Sequence, residues 1–186
     1  NHDPVYATVN NVTSSNPDNK STRFPYYTVG NSISINVILS EKVTVVGRPY
    51  IQLNTGSTSP KSVNFSSGSG TDNHTYNYTV AANDNSTDLA QDNKTIFYNG
   101  AVMMEDSLCS IDNLTLTTPG AVGSLSANKN LVVDTKAPVV QSFDVYDHDN
   151  TTFNQQLYAD NVTVGFTLSA TDDRGVSEYI VIDNKC

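Results

Sequence analysis

Apolar and polar positions alternate with period two over short stretches of this chain, each bounded by Gly, Pro, Asn or Asp. In I-S-I-N-V-I-L-S, Ile33, Ile35, Val37 and Leu39 share one parity while Ser34, Asn36 and Ser40 share the other, which predicts a strand with one dry face. V-T-V-V (Val43 to Val46) and Y-I-Q-L-N (Tyr50 to Asn54), joined by Gly47-Arg48-Pro49, predict a second strand pair. Pro49 belongs at a strand start or an edge, because it cannot donate to a ladder. Lys61 to Ser66 and Thr71 to Val80 flank S-G-S-G, a hairpin signal that places Val63 and Phe65 on one face of the first arm and Tyr76, Tyr78 and Val80 on one face of the second. Further strands are predicted at Thr95 to Tyr98, Ala101 to Met104, Leu114 to Leu116 and Leu131 to Val133.

The run L-V-V-D-T-K-A-P-V-V, Leu131 to Val140, reads as a joint between two β-modules: one strand closes, a proline intervenes, and another strand opens. D-P-V-Y-A-T-V starts from Pro4 as A-P-V-V-Q-S-F-D-V starts from Pro138, an echo of the same position in successive modules. Past Pro138 the alternation restarts with Phe143 and Val145, then with Val162, Val164, Phe166 and Leu168. Residues 138–186 carry three or four strands where a sandwich takes about seven, too few to bury the apolar surface that offsets chain entropy. The expected fold is therefore all-β, with a complete antiparallel Ig-like β-sandwich over 1–137 and a partial second β-sandwich module over 138–186. The partial module is expected to be completed by further chain or by a strand from a neighbouring subunit.

Composition supports strands over helices. Asn, Ser and Thr number 22, 20 and 21 of 186 residues, and such side chains compete with the backbone for hydrogen bonds in a helix interior. The net charge of −9, with ten basic residues and none clustered, argues against a nucleic-acid partner, whose phosphates need Lys and Arg. There is no apolar run long enough for a membrane span, and no basic n-region leads into an apolar h-region at the start, as in a mature chain or an excerpt. Cys109 and Cys186 are the two cysteines; they pair with each other, pair with other chains, or stay free.

Asn-x-Ser/Thr sequons occur at Asn11, Asn19, Asn64, Asn73, Asn77, Asn85, Asn93, Asn113, Asn150 and Asn161. These ten compare with about five expected from 22 Asn and 41 Ser or Thr in 186 residues. Asn64, Asn73, Asn77, Asn113 and Asn161 also fall on the polar parity of their predicted strands, where a glycan meets solvent. The plainer explanation is that Asn/Ser/Thr-rich solvent faces generate sequons by accident. N-glycosylation is the favoured expectation, and it implies a secretory route.

Much of the chain resembles the bacterial-type immunoglobulin-like repeats of large surface adhesins and fibre proteins. The resemblance rests on V-T-S-S (Val12 to Ser15), Y-T-V-G-N-S-I-S-I-N-V (Tyr27 to Val37), S-E-K-V-T-V-V-G-R-P (Ser40 to Pro49), L-N-T-G (Leu53 to Gly56), S-G-S-G-T (Ser67 to Thr71) and Y-T-V-A-A-N-D-N-S-T-D-L (Tyr78 to Leu89). It continues through Asn113 to Pro138. L-S-A-T-D-D-R-G-V-S-E-Y-I-V (Leu168 to Val181) is similar to a second Ig-like module found in such arrays. The family tends to carry a D-x-A-G-N loop where this chain has E-D-S-L-C-S-I-D-N (Glu105 to Asn113), with Cys109 inside it. The resemblance implies tandem β-sandwich spacers, stalks or adhesive rods at the cell surface, with neighbouring modules or subunits of the same fibre as partners.

Candidate chemistry is sparse. Acidic residues gather in predicted loops: Asp84 and Asp88; Glu105, Asp106 and Asp112; Asp144, Asp147 and Asp149; Asp172 and Asp173. Calcium would take such oxygens, with Asp134, Asp172 and Asp173 the first choices, although no D-x-D-x-D-G loop is present and solvated turn acids are the commoner case. No cofactor is required. His2, His74 and His148 are scattered, with no H-E-x-x-H and no G-x-S-x-G, so the chain is not expected to be an enzyme. Trp is absent; Tyr26, Tyr27 and Tyr50 are candidate exposed platforms for cell-surface glycans, while Tyr76 and Tyr78 face the core by parity. The expected function is a structural spacer in an extracellular, N-glycosylated filament, stalk or adhesin. The alternative is an adhesin module that binds glycans or another cell's surface.

Overall fold

The alternation that starts at Ile33 runs much further than its first eight residues. In the computed structural model, which describes residues 6–19, 26–105, 109–110, 114–146, 165–172, 174–176 and 179–180, the chain divides into two compact units, Asn1–Thr135 and Lys136–Cys186. The first holds β1 (Val9–Ser14), β2 (Ser32–Val46), β3 (Tyr50–Asn54), β4 (Lys61–Ser67), β5 (Thr71–Thr79), β6 (Ala90–Gln91), β7 (Val102–Glu105), β8 (Cys109–Ser110) and one short helix, α1 (Leu125–Asn128). The second holds β9 (Val139–Tyr146) and β10 (Gly165–Thr171). Every described ladder is antiparallel, and the fold is all-β and sandwich-like.

β2 is the common member. Its odd residues Ile33, Ile35, Val37, Leu39, Val43 and Val45 are all buried, and each fully buried Ile, Leu or Val contributes about 1.5–3 kcal/mol. One edge of β2 pairs with β1 from Ile35 to Leu39 and then with β7 from Val43 to Val46. The other edge pairs with β5 from Ser32 to Ile38. The β5 register shifts between Ile38 and Val43, where Ser40, Glu41 and Lys42 bulge outward. The strand resumes with its apolar parity intact.

The expected pairing of Val43 to Val46 with Tyr50 to Asn54 is therefore corrected: the former is the far half of β2, and β3 pairs with β4 and β6 instead. Gly47 forces the departure. It sits at φ +97, and a Cβ there would lie 2.9 Å from Ala101 Cα, so the chain leaves the β2 ladder at this point. Pro49 spends its carbonyl on the Phe65 N–H (2.8 Å), which commits the next residues to β4.

The S-G-S-G hairpin forms as expected, but β4 keeps β5 company only briefly. Phe65 faces Tyr76 and Ser67 faces Thr75, whereas Lys61 to Asn64 pair with β3. β4 thus passes from one sheet to the other, and the strands fork. Tyr76 and Tyr78 are fully buried, as their parity requires.

Three predicted strands are reduced to single rungs. Thr95 bridges Thr115, Phe97 bridges Tyr50, and Val133 bridges Tyr27 in parallel and Ser86 in antiparallel sense. Ile96, Leu114, Leu116 and Leu131 are buried nonetheless. Apolar side chains bring these segments to the core, and their neighbours offer no longer edge to pair with. Helix is confined to α1, capped by the Ser124 hydroxyl, which accepts from Ala127 N–H at 3.4 Å.

In the second unit, Phe143 pairs with Leu168 and Val145 with Phe166 in register. The Phe143 and Phe166 rings lie 6.3 Å apart and are 57% and 48% exposed, so the apolar face of this two-stranded sheet meets solvent. Val162 and Val164 lie outside the described residues.

His74, on β5 opposite Val37, is the one histidine of the chain in the described core; its Nε2 is 2.9 Å from Val43 O and its ring meets Phe65 edge-on. Burial holds its pKa below the ordinary 6.5, offset in part by the carbonyls of Val43 and Thr71 and by the charge of Asp72. The unfolded chain therefore binds the proton more readily than the folded one. Stability from this group is complete above pH 6.5 and is lost as pH falls below it, with a slope of up to about 1.4 kcal/mol per pH unit. Urea titrations between pH 7 and 5 are expected to show this loss in the native protein and a flatter profile in His74→Leu; equal slopes would contradict it.

Candidate functional site

Side-chain amides in the first unit act as substitutes for missing backbone. Asn16 prolongs the β1 edge: its Nδ2 donates to Ser32 O (3.0 Å) and its Oδ1 accepts from Ser34 N–H (2.8 Å). Asn19 does the same for the closing segment. Its Nδ2 donates to Val132 O (3.0 Å), its Oδ1 accepts from Val132 N–H (2.6 Å), and its own N–H donates to Asn130 O (3.0 Å). Asp18 adds a carboxylate that accepts from Asn130 N–H (3.0 Å) and meets Lys129 Nζ (3.2 Å); the hydrogen bond from Asn130 is the main reason its pKa is lowered. Gln91 joins Thr117 O (3.1 Å) to the first N–H of α1 at Leu125 (3.0 Å).

The outer face of β2, β5 and β4 carries a second polar network. Ser34 Oγ donates to Asn77 Oδ1 (3.0 Å), Asn77 Nδ2 donates to Ser66 Oγ (3.0 Å), and Asn36 Nδ2 reaches both Asn73 Oδ1 and Thr75 Oγ1. Asn11, Asn64, Asn73 and Asn77 are exposed, and Asn85 and Asn93 are half-buried. Asn93 is engaged in a turn, where its Oδ1 accepts from Thr95 N–H (2.8 Å) and its Nδ2 donates to Gln52 Oε1 (2.9 Å). Asn19 stands apart: it is 6% exposed, and its Nδ2 is the atom that holds Val132. Asn113, Asn150 and Asn161 lie outside the described residues.

The acidic residues are not gathered. Asp84, expected in an open loop, is 3% exposed and serves as a hub: Oδ2 accepts from Tyr78 OH (2.8 Å) and Ala81 N–H (2.8 Å), and Oδ1 accepts from Thr55 Oγ1 (3.1 Å). Lys61 Nζ lies 3.8 Å away, and the Asp84 carbonyl accepts from Thr135 Oγ1. Burial first, then the Asp84 carboxylate, push the Tyr78 hydroxyl pKa far up, so it stays a donor. Glu105 closes β7 and accepts from Ala7 N–H, and Asp144 lies within β9. Asp134 is half-buried with its N–H on Tyr27 O (2.8 Å), and Asp172 turns back to accept from Arg174 N–H (2.8 Å). Asp106, Asp112, Asp147, Asp149 and Asp173 lie outside the described residues. Among the described residues no three His, Cys, Asp or Glu side chains come together as a metal site.

Tyr26, Tyr27 and Tyr50 are half-buried rather than open platforms. Tyr27 donates its hydroxyl to Pro17 O (2.8 Å), and Tyr50 stacks on Phe97 with ring centroids 4.7 Å apart and 4° between planes. The Cys109 backbone pairs with Glu105 in β8; its side chain and Cys186 lie outside the described residues.

Where β4 forks from β5 there is an open cleft of about 580 Å³. Arg48, Lys61, Ser62, Asn64, Asn77 and Thr79 line its rim, above Val63 and Phe65. Neither the fork nor the Asn19 clamp has a local sequence signal, since each depends on strands that are distant in the chain. No family model, curated protein or solved structure matches this chain. No described helix is long and apolar enough to cross a membrane.

Glycan placement follows from these geometries. When the chain is made by a host that adds N-glycans, glycopeptide mapping of the folded protein is expected to find sugar at Asn11, Asn64, Asn73 and Asn77, and none at Asn19. A glycan on Asn19 would remove the bond to Val132 O and leave buried backbone groups unpaired, at a cost of about 1–3 kcal/mol each. Occupied Asn19 in folded protein would contradict the clamp.

Proposed function

We propose that this chain is a structural spacer of an extracellular, N-glycosylated surface filament, stalk or adhesin, built on the pattern of bacterial-type Ig-like repeats. The observation that carries this reading is how the two ends of the first unit are held. Val9–Ser14 is zipped along β2, and Leu131 to Asp134 is held by rungs from both sides: Tyr27 N–H to Val132 O (3.0 Å) and Asp134 N–H to Tyr27 O (2.8 Å) on one, Leu89 N–H to Leu131 O (2.8 Å) and the Ser86–Val133 pair (2.9 Å) on the other. A pull on either end loads these hydrogen bonds together, and the Asn19 clamp adds three more. Such an arrangement suits a module that transmits tension.

Two further features support the reading. Four exposed sequon asparagines stand on a face rich in Asn, Ser and Thr, where glycans add bulk without disturbing the core. The apolar face of β9 and β10, with Phe143 and Phe166 half exposed, suits completion by a neighbouring module or subunit of the same fibre.

Single-molecule stretching of a tandem array of the chain tests the proposal. Each first unit is expected to open in one event that releases about 400 Å, the extended length from Val9 to Asp134 (roughly 410–450 Å at ~3.3–3.6 Å per residue) less the span of the folded unit. The opening force is expected to fall in Asn19→Ala. Gradual extension without discrete events, or an unchanged force in the variant, would overturn it.

A further inference from the structure

We infer that the fork between β4 and β5 is a binding site for a carboxylate-bearing saccharide on chains that carry no glycan at Asn64 and Asn77, a role beyond that of a spacer. Strand alternation decides what the cleft offers. Phe65 N–H donates to Pro49 O, so the odd residues of β4 turn their backbone groups toward β3, and Ser62 and Asn64 turn theirs into the fork. Val80 exchanges hydrogen bonds with Gly30 and Asn31, so the even residues of β5 face β2, and Asn77 and Thr79 turn theirs into the fork from the opposite side. The β4–β5 pairing stops at Phe65 and Tyr76, where Asn77 N–H and Asn64 C=O close the last rung, and beyond it the edges at Ser62 and Thr79 face one another across the opening. Backbone N–H and C=O groups there stand beside the Asn and Ser side chains of the rim, a density of donors and acceptors that matches the hydroxyls of a sugar.

Charge narrows the ligand class. The chain carries ten basic residues against nineteen acidic ones, yet two of the ten, Arg48 and Lys61, stand at this cleft. Arg48 is exposed and has no carboxylate within ion-pair distance among the described residues; the Lys61 amine is 3.8 Å from the buried Asp84, and its side chain is 37% exposed. An exposed guanidinium with a free fork recognises a carboxylate in bidentate fashion. Asn64 and Asn77 are sequon asparagines as well as rim residues, so a glycan on either one would fill the cleft. The site is open on chains that are bare at those two positions.

The test uses the full chain from a bacterial host that adds no N-glycans, with tetragalacturonate, its methyl ester and a tetraglutamate peptide as probes, titrated calorimetrically at low ionic strength. Tetragalacturonate is expected to bind, with affinity lower by on the order of tenfold in Arg48→Gln, a surface change that spares the fold as read by circular dichroism. The methyl ester is expected to bind at least that much more weakly. No binding of tetragalacturonate, equal binding by Arg48→Gln, or equal binding of the methyl ester would overturn the site. Binding of tetraglutamate as tight as that of the saccharide would assign the fork to an acidic peptide instead and overturn the saccharide reading.

Discussion

The larger unit depends on one strand being paired along both edges at once. β2 presents its odd residues to the core from Ile33 to Leu39 and again at Val43 and Val45, on either side of the exposed Ser40 to Lys42, while β5 occupies one edge and β1 and then β7 share the other. A slip of one residue would turn six apolar side chains to solvent and face the polar parity to the core, so the register has no close competitor. The bulge at Ser40 to Lys42 permits this continuity, because it absorbs the mismatch between two ladders and hands the edge from β1 to β7. Gly47 then ends the arrangement, and the chain crosses to the second layer.

The abundance of Asn, Ser and Thr serves two purposes that composition alone does not separate. On the outer face, Asn36 donates to Asn73, Asn77 joins Ser34 to Ser66, and Asn73 and Asn77 remain exposed. Inside, Asn19 and Gln91 stand in for backbone and join segments that no strand reaches. A buried amide with both ends satisfied adds modest net stability, yet its removal leaves several polar groups unpaired. The same residue type therefore marks a tolerant surface at Asn73 and a costly joint at Asn19.

Much of this was legible in the residues. The period-two run at Ile33 to Leu39, the hairpin around S-G-S-G and the inward parity of Tyr76 and Tyr78 follow from alternation and turn chemistry alone. Val43 and Val45 keep the odd parity of Ile33, and this was the available signal that β2 continues; the polar Ser40-Glu41-Lys42 insertion obscured it. The segments around Ile96, Leu116 and Val133 have strand-like composition, but pairing length is set by neighbours and not by their own sequence. Asp84 looks like a turn acid beside Asn83 and Asn85, and only the approach of Thr55 and Tyr78 from other strands makes it a buried hub. The cleft exists because β4 changes partners midway, and no local pattern encodes that.

β2 with its flanking ladders is expected to be the last part of the unit to open, and the single-rung segments to open before it. Hydrogen exchange resolved by residue measures this directly. The amides of Ile35, Val37, Tyr76 and Tyr78 are expected to exchange only through global unfolding, and those of the 95–98 and 114–116 segments, Leu116 included, to exchange faster through local opening. Equal protection in the two sets, or faster exchange along β2 than along those segments, would contradict the account.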